Sequence, residues 1–266
     1  MNNLKKTLTV RLAQGIGNQL FMYANAYSLS KSYNYQLFID NTSGYFKKKD
    51  QLRTYELNNF LLEENLATSD LKFDTHSKNL KRKILIKLDK FRNYRSFILE
   101  KNDSSKKTFF TKINLDNCSN KLFLEGHFES EKYFYEYKDD LKKIFKVKNN
   151  LLENNNLYID DIKNNNSVSI CIRQNRYSEG RLKNNDKSFK FTKDTIDYIH
   201  RAITYIKKKI DNPMFFVWSN DFKNLREHFN EKEYVFVENS INKSLNDFHL
   251  FNFSKHFIVG PTSFHW

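Results

Sequence analysis

Short apolar runs alternate with stretches of helical periodicity at both ends of the chain, and this alternation constrains the fold more than any other feature. Thr7 to Leu12 (TLTVRL) has the length and content of a strand. After two closely spaced glycines, Leu20, Tyr23, Ala24 and Tyr27 recur at helical spacing, and Tyr35 to Asp40 (YQLFID) is a second strand-like run. In the second half, Ser167 to Arg173, Met214 to Trp218, Glu233 to Val237 and His256 to Gly260 repeat the strand pattern. Ile196, Ile199, Ile203, Ile206 and Ile210 share one helical face. Ser244 and Asp247 have the spacing of a capping box opening a short helix with Leu250 and Phe251. Strands separated by helices build parallel sheets, so the expected class is α/β. An asparagine-rich stretch near 149–156 divides the pattern, giving an N-terminal domain over 1–155 and a C-terminal domain over 156–266. Ligands in such sheets bind beyond the carboxyl ends of the strands, which draws attention to the residues just after each run.

The glycines at the first such corner, in Val10 to Lys31 (VRLAQGIGNQLFMYANAYSLSK), invite a dinucleotide reading, with Asp40 closing the next strand. That fingerprint needs a third glycine where the helix packs on the strand, and Leu20 stands there. A phosphate-binding loop fails too, because no G-K-[ST] follows. What remains is an unhindered backbone at Gly15 and Gly17 with two amides, Asn18 and Gln19, at the helix start. Such a corner suits an oxygen-rich ligand, and equally a tight turn with Asn18 as N-cap.

Composition narrows the partners. The net charge of +14 favours anionic company: nucleic acid, a phosphorylated substrate or an acidic membrane face. Nucleic acid calls for basic residues interleaved with exposed aromatics in a recognised module, and none is present. The densest basic block, Lys78 to Arg95, carries Ile84, Ile86, Leu88 and Phe91 in no single clean period, which suits an arm on acidic lipid or a connecting helix. Cys118 and Cys171 form no C-x-x-C pair, so neither a disulfide framework nor a structural metal is indicated. Arg11 interrupts the first apolar run too early for a signal-peptide core, and no run of about 18 apolar residues exists. The expected location is cytoplasmic.

The run GIGNQLFMYANAYSLS resembles the N-terminal signature of glycosyltransferase family 11, the α-1,2-fucosyltransferases, written G-x-G-N-Q-L-F-x-Y-A. Other segments match in order. Arg53 to Phe60 resembles R-x-Y-x-L-x-x-F, and Leu124 to Phe145 resembles the G-Y-x-Q-S-x-K-Y-F block. Phe215 to Glu227 resembles F-S-D-D, keeping Ser219 and Asp221 with Asn220 for one aspartate. Asp247 to Trp266 resembles the closing motif, with Pro261 and Thr262 for its N-S and His265 for a serine. In the H-x-R-R-x-D motif Cys171 stands for the histidine, Arg173 keeps the first arginine, Gln174 replaces the second and Arg176 the aspartate. Family members continue past the position of Trp266, so the last domain is expected to be cut short.

The resemblance implies a GT-B-like enzyme, two Rossmann-like domains facing a cleft, the N-terminal one on the acceptor side and the C-terminal one binding GDP-sugar. It implies inverting transfer of L-fucose from GDP-fucose to the 2-hydroxyl of a β-galactoside, with no metal or other cofactor. Arg173 would then stabilise the pyrophosphate, where a strand-end arginine otherwise makes a surface salt bridge. Thr262, Ser263 and Phe264 follow the last strand, and with Pro261 in the first turn of a helix they would form a phosphate cradle. Asp221 with Ser219 would recognise the nucleotide, or serve as a helix cap. Gly15, Gly17, Asn18 and Gln19 would line the wall where donor sugar and acceptor meet. Asp40, Glu125 and Glu179 stand near matched segments without any one standing out as base. His127 and His256, and the tyrosines of 133–137, suit packing. The expected acceptor is a surface glycan such as lipopolysaccharide or capsule, handled at the inner membrane face by peripheral contact with acidic lipid. Gln174 and Arg176 also leave open an inactive GDP-sugar binder, or a sister transferase using another GDP-sugar.

Overall fold

The computed structural model describes residues 5–46, 53–100, 110–153, 157–178, 183–239 and 242–266. The chain forms two compact units that divide between Lys146 and Val147, ahead of the boundary at 155 drawn from the asparagine-rich stretch.

The first unit is built on a parallel sheet of β1 (Thr7–Arg11), β2 (Gln36–Asp40), β3 (Arg95–Leu99) and β4 (Cys118–Glu125), in the order β2-β1-β4-β3. Helix α1 (Ile16–Tyr33) connects β1 to β2 and is buried around most of its circumference. It ends on Asn34 in the left-handed conformation, a position that asparagine tolerates better than most residues. Helix α2 (His76–Asp89) packs against β3, sending Leu85 and Ile86 into a cluster with Phe73, Phe97 and Phe123. The rings of Phe73 and Phe97 both lie 5.1 Å from that of Phe123, and burying each such ring contributes about 1.5–3 kcal/mol. A short helix α3 (Lys138–Ile144) closes the unit. The loop after β2 crosses the end of β1 so closely that a methyl on Gly44 would lie 1.9 Å from the Leu12 carbonyl oxygen.

The second unit repeats the plan with α4 (Ile159–Asn164), β5 (Asn166–Ile172), α5 (Asn185–Lys207), β6 (Pro213–Ser219), β7 (Tyr234–Phe236), α6 (Lys243–Phe251) and β8 (His256–Ile258). Its four parallel strands run in the order β7-β6-β5-β8. Both faces of this sheet are covered, which is why its strands appear in the sequence as unbroken apolar runs. Val168, Ile170 and Ile172 of β5 meet Ile196, Ile199 and Ile203 of α5 on one face. Cys171 joins Phe216, Trp218, Val237 and Leu250 on the other. The polar atoms sent into this interior are paired: Ser169 Oγ accepts from Trp218 Nε1 at 2.8 Å and bonds Ser254 Oγ at 2.6 Å.

The capping box expected at Ser244 and Asp247 does not form. The N-cap of α6 is Asn242, whose side chain makes no capping bond and donates instead to the Leu151 carbonyl at 3.1 Å, and Ser244 is the second residue of the helix and exposed. Asp247 is buried and accepts from Asn239 Nδ2 at 2.6 Å. Burial raises its pKa to about 6 against the opposing effect of that bond.

Candidate functional site

The strand order of the second unit reverses direction between β5 and β8, and a crevice opens beyond the carboxyl ends of strands at such a switch point. Three of its corners carry the residues picked out in the sequence. Arg173 is the first residue after β5 and is half-buried. After β8 the chain makes a tight turn, with the Thr262 N–H donating to the Gly260 carbonyl at 2.8 Å and the His265 N–H to the Thr262 carbonyl at 3.2 Å. This is a correction: Pro261 opens no helix, so no helix N-terminus cradles phosphate here. The turn is pressed onto β5 instead, and a methyl on Gly260 would lie 2.5 Å from the Cys171 carbonyl oxygen.

That turn holds two unusual atoms. Among the described residues, Thr262 Oγ1 and His265 Nδ1 are buried without hydrogen-bond partners. A buried unpaired polar group costs about 1–3 kcal/mol, so two in one turn point to a site that a ligand or ordered water completes. Burial, and then the nearby charge of Arg173, depress the His265 pKa to about 4, so its ring is neutral at physiological pH. Ser263 and Phe264 are half-buried in the same turn, and the ring of Phe264 lies 6.4 Å from that of Phe248. Arg176 reaches across from the β5 corner to donate to the Pro261 carbonyl, with its guanidinium 5.1 Å from the ring centre of Phe191.

The third corner follows β6. Ser219 Oγ donates to the Asp221 carbonyl at 2.6 Å, and the Asp221 carboxylate accepts from the Lys223 N–H at 2.9 Å and from Asn175 Nδ2 at 3.0 Å. Asp221 therefore shapes a turn and caps no α-helix. Gln174 and Asn220, each an amide where the family pattern has a charged residue, stitch the β5 and β6 corners together. The Gln174 N–H donates to Asn220 Oδ1 at 2.8 Å while Asn220 Nδ2 donates back to the Gln174 carbonyl at 3.2 Å. Gln174 Nε2 in turn donates to the carbonyls of Asp221 and Lys223. An amide both donates and accepts, and an ionised carboxylate at 220 would lose the second of these bonds.

In the first unit the glycine corner lies at the carboxyl end of β1, beside the switch between β1 and β4. Gly15 is the N-cap of α1, not Asn18, and the Arg53 side chain lies over it, 3.7 Å from where a methyl would be. Gly17 is buried in the first helical turn. Gln19 is not available to a ligand: it is fully buried, donates to the carbonyls of Gln14 at 3.0 Å and Thr54 at 2.8 Å, and accepts from the Glu56 N–H at 2.9 Å. It fastens the segment bearing Arg53 to the helix. Asn18 keeps a buried Oδ1 without a partner among the described residues.

Two of the three carboxylates considered as bases have structural partners. Asp40 accepts from the backbone of Thr42 and Ser43, and Glu125 is gripped by Arg82 at 2.6 and 2.5 Å. Glu179 lies outside the described residues. Arg11, read in the sequence only as a charge that interrupts the first apolar run, belongs to this corner: it donates to the Ser43 carbonyl at 2.8 Å and lies 3.9 Å from Glu125. Its burial lowers its pKa, and its Nε is buried unpaired. His127 contributes its backbone N–H to Glu100, and Tyr133 packs edge-on against Phe128 and Phe110. Among the described residues no group of three or more His, Cys, Asp or Glu is placed to hold a metal ion.

Comparison with known proteins agrees with this architecture. The family model described as glycosyl transferase family 11 matches residues 1–266. An alpha-1,2-colitosyltransferase of Escherichia coli is 28% identical over 97% of this chain and 85% of its own length. The O-antigen biosynthesis glycosyltransferase WbnK, also of Escherichia coli, is 26% identical over 96% of this chain and 87% of its own. Among solved structures, a mutant of Arabidopsis thaliana FUT1 in complex with GDP superposes with a TM-score of 0.56 at 11% identity, over 98% of this chain and 67% of that one. The structural likeness shows the fold, which is α/β and GT-B-like. With a family match along its entire length, the chain belongs to glycosyltransferase family 11.

Proposed function

We propose that this glycosyltransferase moves an L-fucose-type sugar from its GDP-activated form to the 2-hydroxyl of a β-galactoside in a surface glycan such as O-antigen. The acceptor oxygen bonds to the anomeric carbon as GDP leaves with the electron pair, inverting the β-linked donor to an α-linked product, and the hydroxyl proton passes to solvent or a base. Negative charge grows on the departing pyrophosphate. The observation that carries the reading is the switch-point corner of the second unit, where the charge of Arg173 bears on a turn with two buried, unpaired polar atoms. A preorganised donor aimed at developing charge contributes about 3–4 kcal/mol to the rate, so Arg173 supplies what a metal provides in other transferases. The neutral His265 ring and the Thr262 hydroxyl would complete the donor contacts, and Ser219 and Asp221 would lie toward the nucleoside. Gly15, Gly17 and Asn18 would serve the acceptor side, with Gln19 and Arg53 shaping that corner.

The colitosyltransferase relative favours a second donor within the same reading, GDP-colitose, since colitose is L-fucose lacking one hydroxyl. Incubating the protein with each GDP-sugar and a galactoside acceptor, then assigning the product linkage by NMR, tests both. An α-1,2-linked fucosyl or colitosyl product is expected. Turnover of neither donor on any galactoside, with GDP still bound, would leave an inactive binder and overturn the proposal.

A further inference from the structure

Helix α2 packs on β3 with one face and leaves an apolar stripe on the opposite one. Leu80, Ile84 and Leu88 follow one another at intervals of four, and the turn after the helix brings Phe91 into the same row. All four are exposed, Phe91 at 87%, with Tyr94 exposed just beyond. Monomeric soluble proteins rarely leave such a row uncovered without a partner for it.

The charges around the stripe say which partner fits. Lys81, Lys83, Lys87, Lys90 and Arg92 are exposed beside it, and none makes an ion pair among the described residues. The cations that do have partners point elsewhere: Lys78 turns back to Ser69 and Asp74, and Arg82 turns inward to Glu125. The one acid between residues 76 and 95, Asp89, is buried and accepts from the N–H groups of Ser96 and Phe97. The outer face is thus apolar along its centre, basic along its flanks and free of negative charge.

We propose that this face of α2 is a membrane-docking surface that lies flat on an anionic bilayer, with Leu80, Ile84, Leu88 and Phe91 among the acyl chains and the flanking cations at the headgroups. A second copy of the chain is a poorer occupant, because self-association would oppose two sets of lysines. The inference stands apart from the identity of the donor sugar.

Flotation of the intact protein with phosphatidylglycerol vesicles, against phosphatidylcholine vesicles, tests it. Partition should favour the anionic vesicles and fall at least tenfold at about 1 M salt, where the screening length is about 3 Å. Replacing Lys83, Lys87 and Lys90 with Gln, or Ile84 and Phe91 with Ser, should each lower it at least tenfold while leaving thermal unfolding unchanged. Phe91→Trp should show blue-shifted emission on adding anionic vesicles. Equal partition to both vesicle types, indifference to the substitutions, or a lipid-free dimer that either set of substitutions abolishes would overturn the proposal.

Discussion

Two buried titratable side chains of the second unit oppose each other across the same pH range. Asp247 has its pKa raised to about 6 by burial, so the folded state holds its proton more tightly than the unfolded chain. Its contribution to stability is full at low pH and is lost as pH rises toward 6. His265, depressed to about 4, behaves oppositely: its contribution is full above the ordinary histidine value and is lost as pH falls toward 4. In the native chain the two slopes partly cancel. Asp247→Asn removes one and keeps an oxygen for the Asn239 amide. The variant should be more stable than the parent at neutral pH, by up to about 3 kcal/mol, lose that advantage as pH approaches 4, and show a steeper acid slope. Urea unfolding across this range reads the difference, and an unchanged profile would mean that Asp247 is not strained by its burial.

At the scale of elements, the strands of the second unit were legible because both faces of its sheet are covered, and the isoleucines of α5 declared their face by spacing. β3 and β4 gave no comparable signal, since β4 opens with the polar, partly exposed residues Cys118 to Lys121. Failures at the corners have a common cause: local chemistry was overridden by long-range contact. Pro261 followed by small hydroxyl residues suits a helix start, yet the chain instead folds tightly against β5 at Gly260. Gln19 looked like a ligand amide because its partners, Thr54 and Glu56, lie far along the chain. The α2 stripe shows no clean period because Leu85 and Ile86, on the core side, interleave with the exposed row. These assignments separate two neighbouring amides of α1. Gln19→Leu strands three backbone groups and should cost about 2–4 kcal/mol in urea unfolding, whereas Asn18→Ala should change stability by less than about 1 kcal/mol and raise the acceptor KM.

At the scale of the molecule, each unit presents its chemistry at the carboxyl ends of its parallel strands, beside a reversal of strand order. The family was legible from ordered motifs, but the arrangement of the departures was not: only the fold shows Gln174 and Asn220 serving one another's loops. The central claim is that the second unit binds a GDP-sugar through Arg173 and the turn after β8. Titration calorimetry of the protein and of Arg173→Ala with GDP, GDP-fucose, GDP-mannose and NAD tests it most directly. The account predicts binding of GDP and GDP-fucose, at least a tenfold loss of affinity in Arg173→Ala with unfolding unchanged, and no response to NAD. Undiminished GDP affinity in Arg173→Ala, or no GDP binding at all, would contradict it.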